Sequence, residues 1–258
     1  MGKLRVVEIA ADHLLETPCC GIKNVEHEGH KAKREWLEEH FELGLKSKIL
    51  LTPDGRQNGF IEYLPGEYAW RGVEAKGYMF IHCLWTYFKK YQRQGYAKRL
   101  VESCLEEARQ ANMKGVAVVA RPKPWLASRD IFVRLGFDVV DTAPPDYDLL
   151  VKKFDSTESN PRFKGDWEKK LKKYGKGLTI IRADQCPHTL RFSSSIAEEA
   201  LKTYGLKTRI EVLKTHRQAQ NAPTPYAVFQ LIYNGQLLVD HQISKTRFKK
   251  IMNKMVGS

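Results

Sequence analysis

The feature that most constrains this chain is a strand, a loop and a helix in immediate succession near its middle. Residues 78–85 are almost free of charge and read as a buried strand. Further on, Ala97, Leu100, Val101, Cys104, Leu105 and Ala108 recur at helical spacing, with Lys98, Arg99, Glu102, Glu106 and Glu107 between them. The helix is reached through Gln92, Arg93, Gln94, Gly95, Tyr96 and Ala97. A strand that turns through a glycine-bearing loop into a helix presents unpaired backbone N–H groups at the positive end of the helix dipole. Gly95 lets the backbone approach a ligand closely, and Ala97 keeps the first turn small. The unit predicts a pyrophosphate-binding turn.

The 258 residues suffice for one large or two ordinary domains, and the 42% hydrophobic content supplies real cores. No apolar run approaches the ~20 residues of a membrane span and no signal-peptide core opens the chain, so a cytoplasmic protein is expected. Five irregularly spaced cysteines suit a reducing compartment better than a disulfide scaffold. The net charge of +13 fits either nucleic acid or a polyanionic cofactor. The densest basic stretch, residues 164–176, is interrupted by Asp166 and Glu168, and no nucleic-acid-binding motif accompanies it. It reads as a solvated helix face, and no nucleic-acid partner is expected. The oligomeric state is left open.

A first strand at residues 4–9 leads to a loop carrying His13, Cys19, Cys20, His27 and His30. The adjacent cysteines fit no zinc spacing, so a pocket-bordering loop is expected and no metal. A helix over residues 31–45 follows, then strands at 47–52 and 59–64 joined by the turn Pro53, Asp54, Gly55. The irregular stretch 65–76 gathers Glu67, Tyr68, Trp70 and Arg71 before the central strand. Those four, with Cys20, are the candidate substrate-binding residues; surface packing is the alternative reading. After the central unit come a strand at 115–121, a short helix at 125–135 ending at Gly136, and strands at 137–140 and 147–154.

This order resembles the GNAT superfamily of acyl-CoA N-acetyltransferases. Gln92 to Ala97 match that family's Gln/Arg-x-x-Gly-x-Gly/Ala motif, and Ile131, Phe132, Val133, Arg134, Leu135, Gly136 and Phe137 are similar to its Gly-Phe segment. The resemblance covers roughly residues 4–154. It implies a mixed, mostly antiparallel sheet flanked by helices. It also implies a central strand that splays to admit a pantetheine arm, and acetyl-CoA held by Gln92, Arg93, Gln94, Gly95, Tyr96 and Ala97. It further implies direct transfer to an amine of a small molecule or peptide.

The sequence departs from the family pattern where catalysis is concerned. Phe132 stands at the position of the usual proton-donating tyrosine, and Pro124 and Trp125 replace the usual upstream asparagine. For a base, the central strand offers His82 and Cys83, only one of which a regularly alternating strand could point at the acetyl group. Cys83 could also act as an acetylated nucleophile, His82 could equally be a core residue, and Tyr68, Tyr78 and Tyr87 are further candidates.

Residues 155–161 are polar and break both periodicities, so residues 1–154 are read as one domain, 155–176 as a linker with a short basic helix, and 177–258 as a second domain. In that second domain a strand leads to Cys186-Pro187 at a helix start, and Thr224-Pro225 precedes an Asn234-Gly235 hairpin. The pattern resembles the smaller thioredoxin/glutaredoxin α/β fold, which implies a cis Thr224–Pro225 bond facing an active Cys186. A helix start would lower that thiol's pKa, while Thr189 at the second cysteine position rules out an intramolecular disulfide there. The two halves together resemble the bacterial YoaP-type acetyltransferases. An acetyl-CoA-dependent N-acetyltransferase is therefore expected, with candidate catalytic residues His82, Cys83 and Cys186. The alternative is a thiol-handling protein in which Cys186 reacts and the first half only binds coenzyme A.

Overall fold

The computed structural model describes residues 4–10, 13, 14, 17, 20–87, 95–122 and 124–256. Strands β1 (Arg5–Glu8), β2 (Lys46–Leu51), β3 (Gln57–Pro65), β5 (Met79–Thr86), β6 (Gly115–Ala120), β7 (Asp138–Ala143) and β8 (Tyr147–Lys153) form one sheet in the order β1-β2-β3-β5-β6-β8-β7. Every pair is antiparallel except β5 with β6. Helix α2 (Tyr96–Gln110) covers one face, because Leu100, Val101, Cys104, Leu105 and Ala108 form a single apolar stripe. Ile81, Leu84, Val116 and Val118 of the sheet pack against it. Helix α1 (Glu28–Phe41) lies on the opposite face and buries Lys33, Trp36, Leu37 and His40.

The second sheet, in the order β11-β10-β12-β13, consists of β10 (Leu178–Ala183), β11 (Thr208–Leu213), β12 (Phe229–Tyr233) and β13 (Gln236–Val239). Strands β10 and β11 are parallel and joined through α5 (His188–Tyr204), while α7 (Lys245–Val256) closes the chain. The core on the α1 face is continuous from Trp36, Trp70 and Phe80 to Ile181, Tyr226 and Phe248. At the junction α1 meets the start of α5 so closely that a Cβ on Gly29 would lie 2.2 Å from the Pro187 carbonyl oxygen.

Several expectations are corrected. Helix α1 starts and ends earlier than residues 31–45, with His27 as its cap. Helix α3 is only Arg129–Val133, because Trp125 holds φ at 71°, outside helical geometry. The stretch 155–176 is more than a linker. Its strand β9 (Arg162–Phe163) pairs with β4 (Val73–Glu74) just before the central strand, and α4 (Trp167–Leu171) follows. A further helix, α6 (His216–Gln220), carries a capping box from Thr215 and Gln218 that the sequence reading missed. The Thr224–Pro225 bond is not cis; among the described residues only Pro144–Pro145 is.

Candidate active site

The site is built on an irregularity in β5. Its pairing with β3 runs Met79↔Pro65, Phe80↔Leu64 and Ile81↔Tyr63, then shifts so that Cys83 faces Glu62. His82 is the extra residue of a β-bulge. Parallel pairing with β6 ends at the same point, at Ile81↔Val118, so the two strands diverge beyond it. The bulge also breaks the alternation of faces. Phe80 and His82 share a face with ring centroids 5.7 Å apart, Ile81 and Leu84 pack on the α2 face, and Cys83 joins the side of His82. His82 and Cys83 therefore share a face that a regular strand would have divided between them.

The two side chains nevertheless meet different surroundings. The His82 Nε2 accepts the Trp70 backbone N–H at 2.9 Å, and its Nδ1 has no partner. Burial, reinforced by the charges of Arg71 and Lys33, holds its pKa well below the ordinary histidine value. With its Nε2 lone pair engaged, His82 packs among Trp36, Trp70 and Phe80 and also lines the divergence between β5 and β6. Cys83 instead lines a cavity of about 170 Å³ between the two sheets. Cys20, from the loop before α1, and Cys186, at the start of α5, open onto the same cavity, with Phe60, Trp85, Tyr87, Trp125 and Tyr226 as its aromatic lining.

The three thiols differ electrostatically. The neighbouring Cys20 thiol holds Cys83 below the ordinary thiol value, and Lys33 and Arg71 add to this against burial and Glu62. The same contact and burial hold Cys20 well above it. Burial pushes Cys186 up to about 12 despite its place at a helix start, which corrects the expectation of a thiolate there. The Cys186 sulfur accepts the Gln242 amide at 3.3 Å. Iodoacetamide at neutral pH is therefore expected to alkylate Cys83 faster than Cys186 or the buried Cys104, as read by peptide mapping; Cys186 reacting first would reverse the assignment.

Of the other expected substrate residues, only Arg71 reaches the cavity. It is buried, donates to the Trp70 and His82 carbonyls at 2.7 and 3.0 Å, and lies 5.0 Å from the Tyr226 ring centroid. Glu67 is exposed, Tyr68 packs edge-on against His216, and the Trp70 Nε1 donates to His40. Tyr68 thus contacts the second half, while Trp70 packs within the first. Behind Cys83, the buried Lys33 ammonium binds Glu62 at 2.7 Å and the Gln185 carbonyl at 2.8 Å. The sequence reading missed this network, along with Trp125, Gln185, Tyr226 and Gln242.

On the other side of β5, the divergence from β6 is lined by Cys83, Leu84, Val118, Trp125, Leu126 and Phe132 around a space of about 10 Å³. The loop residues Gln92, Arg93 and Gln94 lie outside the described residues. Gly95 caps α2 with φ at 76°, and among the described residues no side chain caps that helix and a Cβ at Gly95 would meet nothing within 4 Å. Tyr96 is buried and Ala97 half-buried. A second, wider groove of about 920 Å³ is lined by Arg121, Pro144 and Pro145 beside the first sheet and by Leu237, Leu238 and Val239 of β13. On its wall the His241 Nδ1–H donates to Asp240 at 2.6 Å and its Nε2 has no partner. No spacing in the sequence pointed to that pair. Among the described residues no three His, Cys, Asp or Glu side chains are placed to hold a metal ion.

Comparison with known proteins bears on the enzyme class. Residues 13–137 match the Acetyltransferase (GNAT) family, and residues 209–250 match a family described as YoaP-like. The chain is 29% identical over 252 residues to a Bacillus subtilis (strain 168) protein named uncharacterized N-acetyltransferase YoaP, covering 96% of this chain and 98% of that one. Among solved structures, the Escherichia coli GNAT N-acetyltransferase YhbS in complex with CoA aligns over 63% of this chain and 91% of its own, at 15% identity and a TM-score of 0.41. The PaiA N-acetyltransferase of Thermoplasma acidophilum, in complex with coenzyme A, aligns over 59% and 99%, at 13% identity and a TM-score of 0.42. The family match and the full-length relative agree on N-acetyltransferase as the class of enzyme.

Proposed function

We propose that this N-acetyltransferase moves an acetyl group from acetyl-CoA to the amine of an acceptor whose reacting end sits in the three-cysteine cavity. The observation that carries this reading is the coincidence, at His82, of the β5 bulge with the end of β5–β6 pairing. Strands that part there would leave backbone edges for a pantetheine arm to lie against. The residues fit the group: Gly95, Tyr96 and Ala97, with Gln92, Arg93 and Gln94, would hold its pyrophosphate through backbone N–H groups. When bound, acetyl-CoA supplies an activated thioester. The chain's own part is to orient that thioester along β5 and to exclude water with Trp125 and Phe132.

A cavity of about 170 Å³ is of the size that accepts a single ring or a short side chain. It suits a small amine or the end of a peptide residue. The second half then acts as a wall of the acceptor site. Strand β10, Cys186-Pro187 at the start of α5, and Thr224-Pro225 before the β12–β13 hairpin keep the order that supports a thioredoxin-like reading, without its cis bond.

The test is calorimetric titration with acetyl-CoA, followed by an acceptor screen that reads free thiol release. Gly95→Asp places a carboxylate where the pyrophosphate would sit and is expected to abolish binding, with a modest fall in melting temperature because a side chain at φ 76° is strained. Undiminished binding by that variant would refute the phosphate turn.

A further inference from the structure

Cys83 is unusual in bordering both spaces at the bulge. Its residue lines the divergence between β5 and β6 and also the three-cysteine cavity on the far side. Only Trp125 among the other lining residues does the same. A thioester carried along β5 and an acceptor held in the cavity would therefore approach Cys83 from opposite sides.

We propose that Cys83 is an acyl relay: it takes the acetyl group from coenzyme A as an enzyme thioester and passes it to the acceptor, in place of direct attack. The proposal rests on the acetyl-CoA reading above. Three features of the surroundings suit the role. Cys83 stands beside the bulge, on the stretch of β5 that still pairs with β3 but no longer with β6. The buried cations Lys33 and Arg71 lie close enough to favour a thiolate. Cys20 opens onto the same cavity as Cys83, and its thiol holds the Cys83 pKa down, so it is a positioning residue that stabilises the anion before attack and the leaving thiolate afterwards.

The step balances without a further reactant. The Cys83 thiolate attacks the acetyl carbonyl carbon, a sulfur–carbon bond forms, and the bond to the coenzyme A sulfur breaks. Coenzyme A leaves as a thiolate and takes up a proton equal to the one Cys83 gave up. One thioester replaces another, so the exchange is close to thermoneutral. The acceptor amine then attacks the same carbonyl carbon, the carbon–nitrogen bond forms, and Cys83 leaves as a thiolate. The proton shed by the amine neutralises it. No oxidation or reduction takes place.

The experiment uses the full chain. Protein is mixed with acetyl-CoA in the absence of acceptor, quenched in acid and mapped by mass spectrometry. One acetyl group on Cys83, removed by neutral hydroxylamine, is the expected result. Cys83→Ala should lose it, and Cys104→Ala, a change in the α2 core, should retain it. Cys20→Ala should still acylate, but with its pH dependence moved to higher pH, a shift that a purely structural Cys20 would not produce. With an acceptor in hand, initial rates should follow ping-pong kinetics. The wild-type map needs no variant to fold, so the proposal stays open to refutation. If calorimetry shows acetyl-CoA bound and acceptor is acetylated, but no hydroxylamine-labile acetyl reaches Cys83 and Cys83→Ala turns over at the wild-type rate, the relay is wrong and the acetyltransferase reading stands. If acetyl-CoA does not bind, both are wrong.

Discussion

Lys33→Met is expected to lower the melting temperature by on the order of 10 °C, the larger of two stability effects that this architecture predicts. The Lys33 ammonium is wholly buried and satisfies Glu62 and the Gln185 carbonyl, with the Trp36 ring 4.2 Å away. Taking it away leaves Glu62, itself only 3% exposed, without its counterion. Breaking a buried pair from one side costs about 3–5 kcal/mol, because the surviving charge keeps its desolvation penalty and loses its partner. The cost falls on the junction of the two sheets, since Glu62 belongs to β3 and Gln185 to the turn before α5. Pairing the change with Glu62→Met replaces both ions by apolar groups of similar volume and should recover much of the loss. Thermal unfolding of the two single variants and the double variant closes the cycle. A double variant as unstable as the sum of the singles would mean that the pair is not coupled as described.

The second effect depends on pH and centres on Asp240. Burial pushes its pKa up, but hydrogen bonds from His241 and Tyr147, together with the Arg121 charge, outweigh burial and hold it at about 2. Its folded pKa therefore lies below the ordinary carboxyl value of 3.8. A depressed carboxyl stabilises the fold while ionised, so its contribution is complete above the unfolded pKa and disappears as pH falls toward 2. The displacement corresponds to about 2 kcal/mol. Asp240→Asn should lose that amount near neutrality and lose progressively less between about pH 5 and pH 2, as the wild type comes down to meet it. Urea unfolding of both proteins at several pH values reads the difference directly. A gap that does not narrow with acid would show that Asp240 is not held in this way. Asp240 follows β13, whereas Arg121 and Tyr147 belong to the first sheet and its flank, so this network too ties one half to the other.

What was legible in the sequence was local. The buried strand, the glycine at the start of α2 and the stripe from Leu100 to Ala108 could be read because helical and strand periodicities act over a few residues. The same holds for the turn at 53–55 and the Asn234-Gly235 hairpin, where glycine and the short polar side chains act on their own backbone. The bulge at His82 was not legible. Nothing in the run Ile81, His82, Cys83 marks an extra residue, because the register is set by β3 across the ladder. Helix α3 was overdrawn because Trp125 is pulled into a left-handed conformation by contacts from elsewhere: its Nε1 donates to the Gln242 carbonyl, and its ring packs on His188 and Phe192.

The chemistry divides in the same way. Residue types alone marked Cys83, Cys186, Cys20, Arg71 and His82 as worth following, and the motif from Gln92 to Ala97 pointed to an acyl donor. Which of them shares a cavity, and in what charge state, was decided by the tertiary structure. Cys186 has the helix-start position that favours a thiolate, yet burial raises its pKa, while Cys83 lacks that position and is lowered by a neighbouring thiol more than sixty residues earlier in the chain. Periodicity and turn chemistry are properties of neighbouring residues and survive in the sequence. Desolvation and charge pairing belong to groups that meet only when the two sheets close on each other, and at this site they outweigh the local signals.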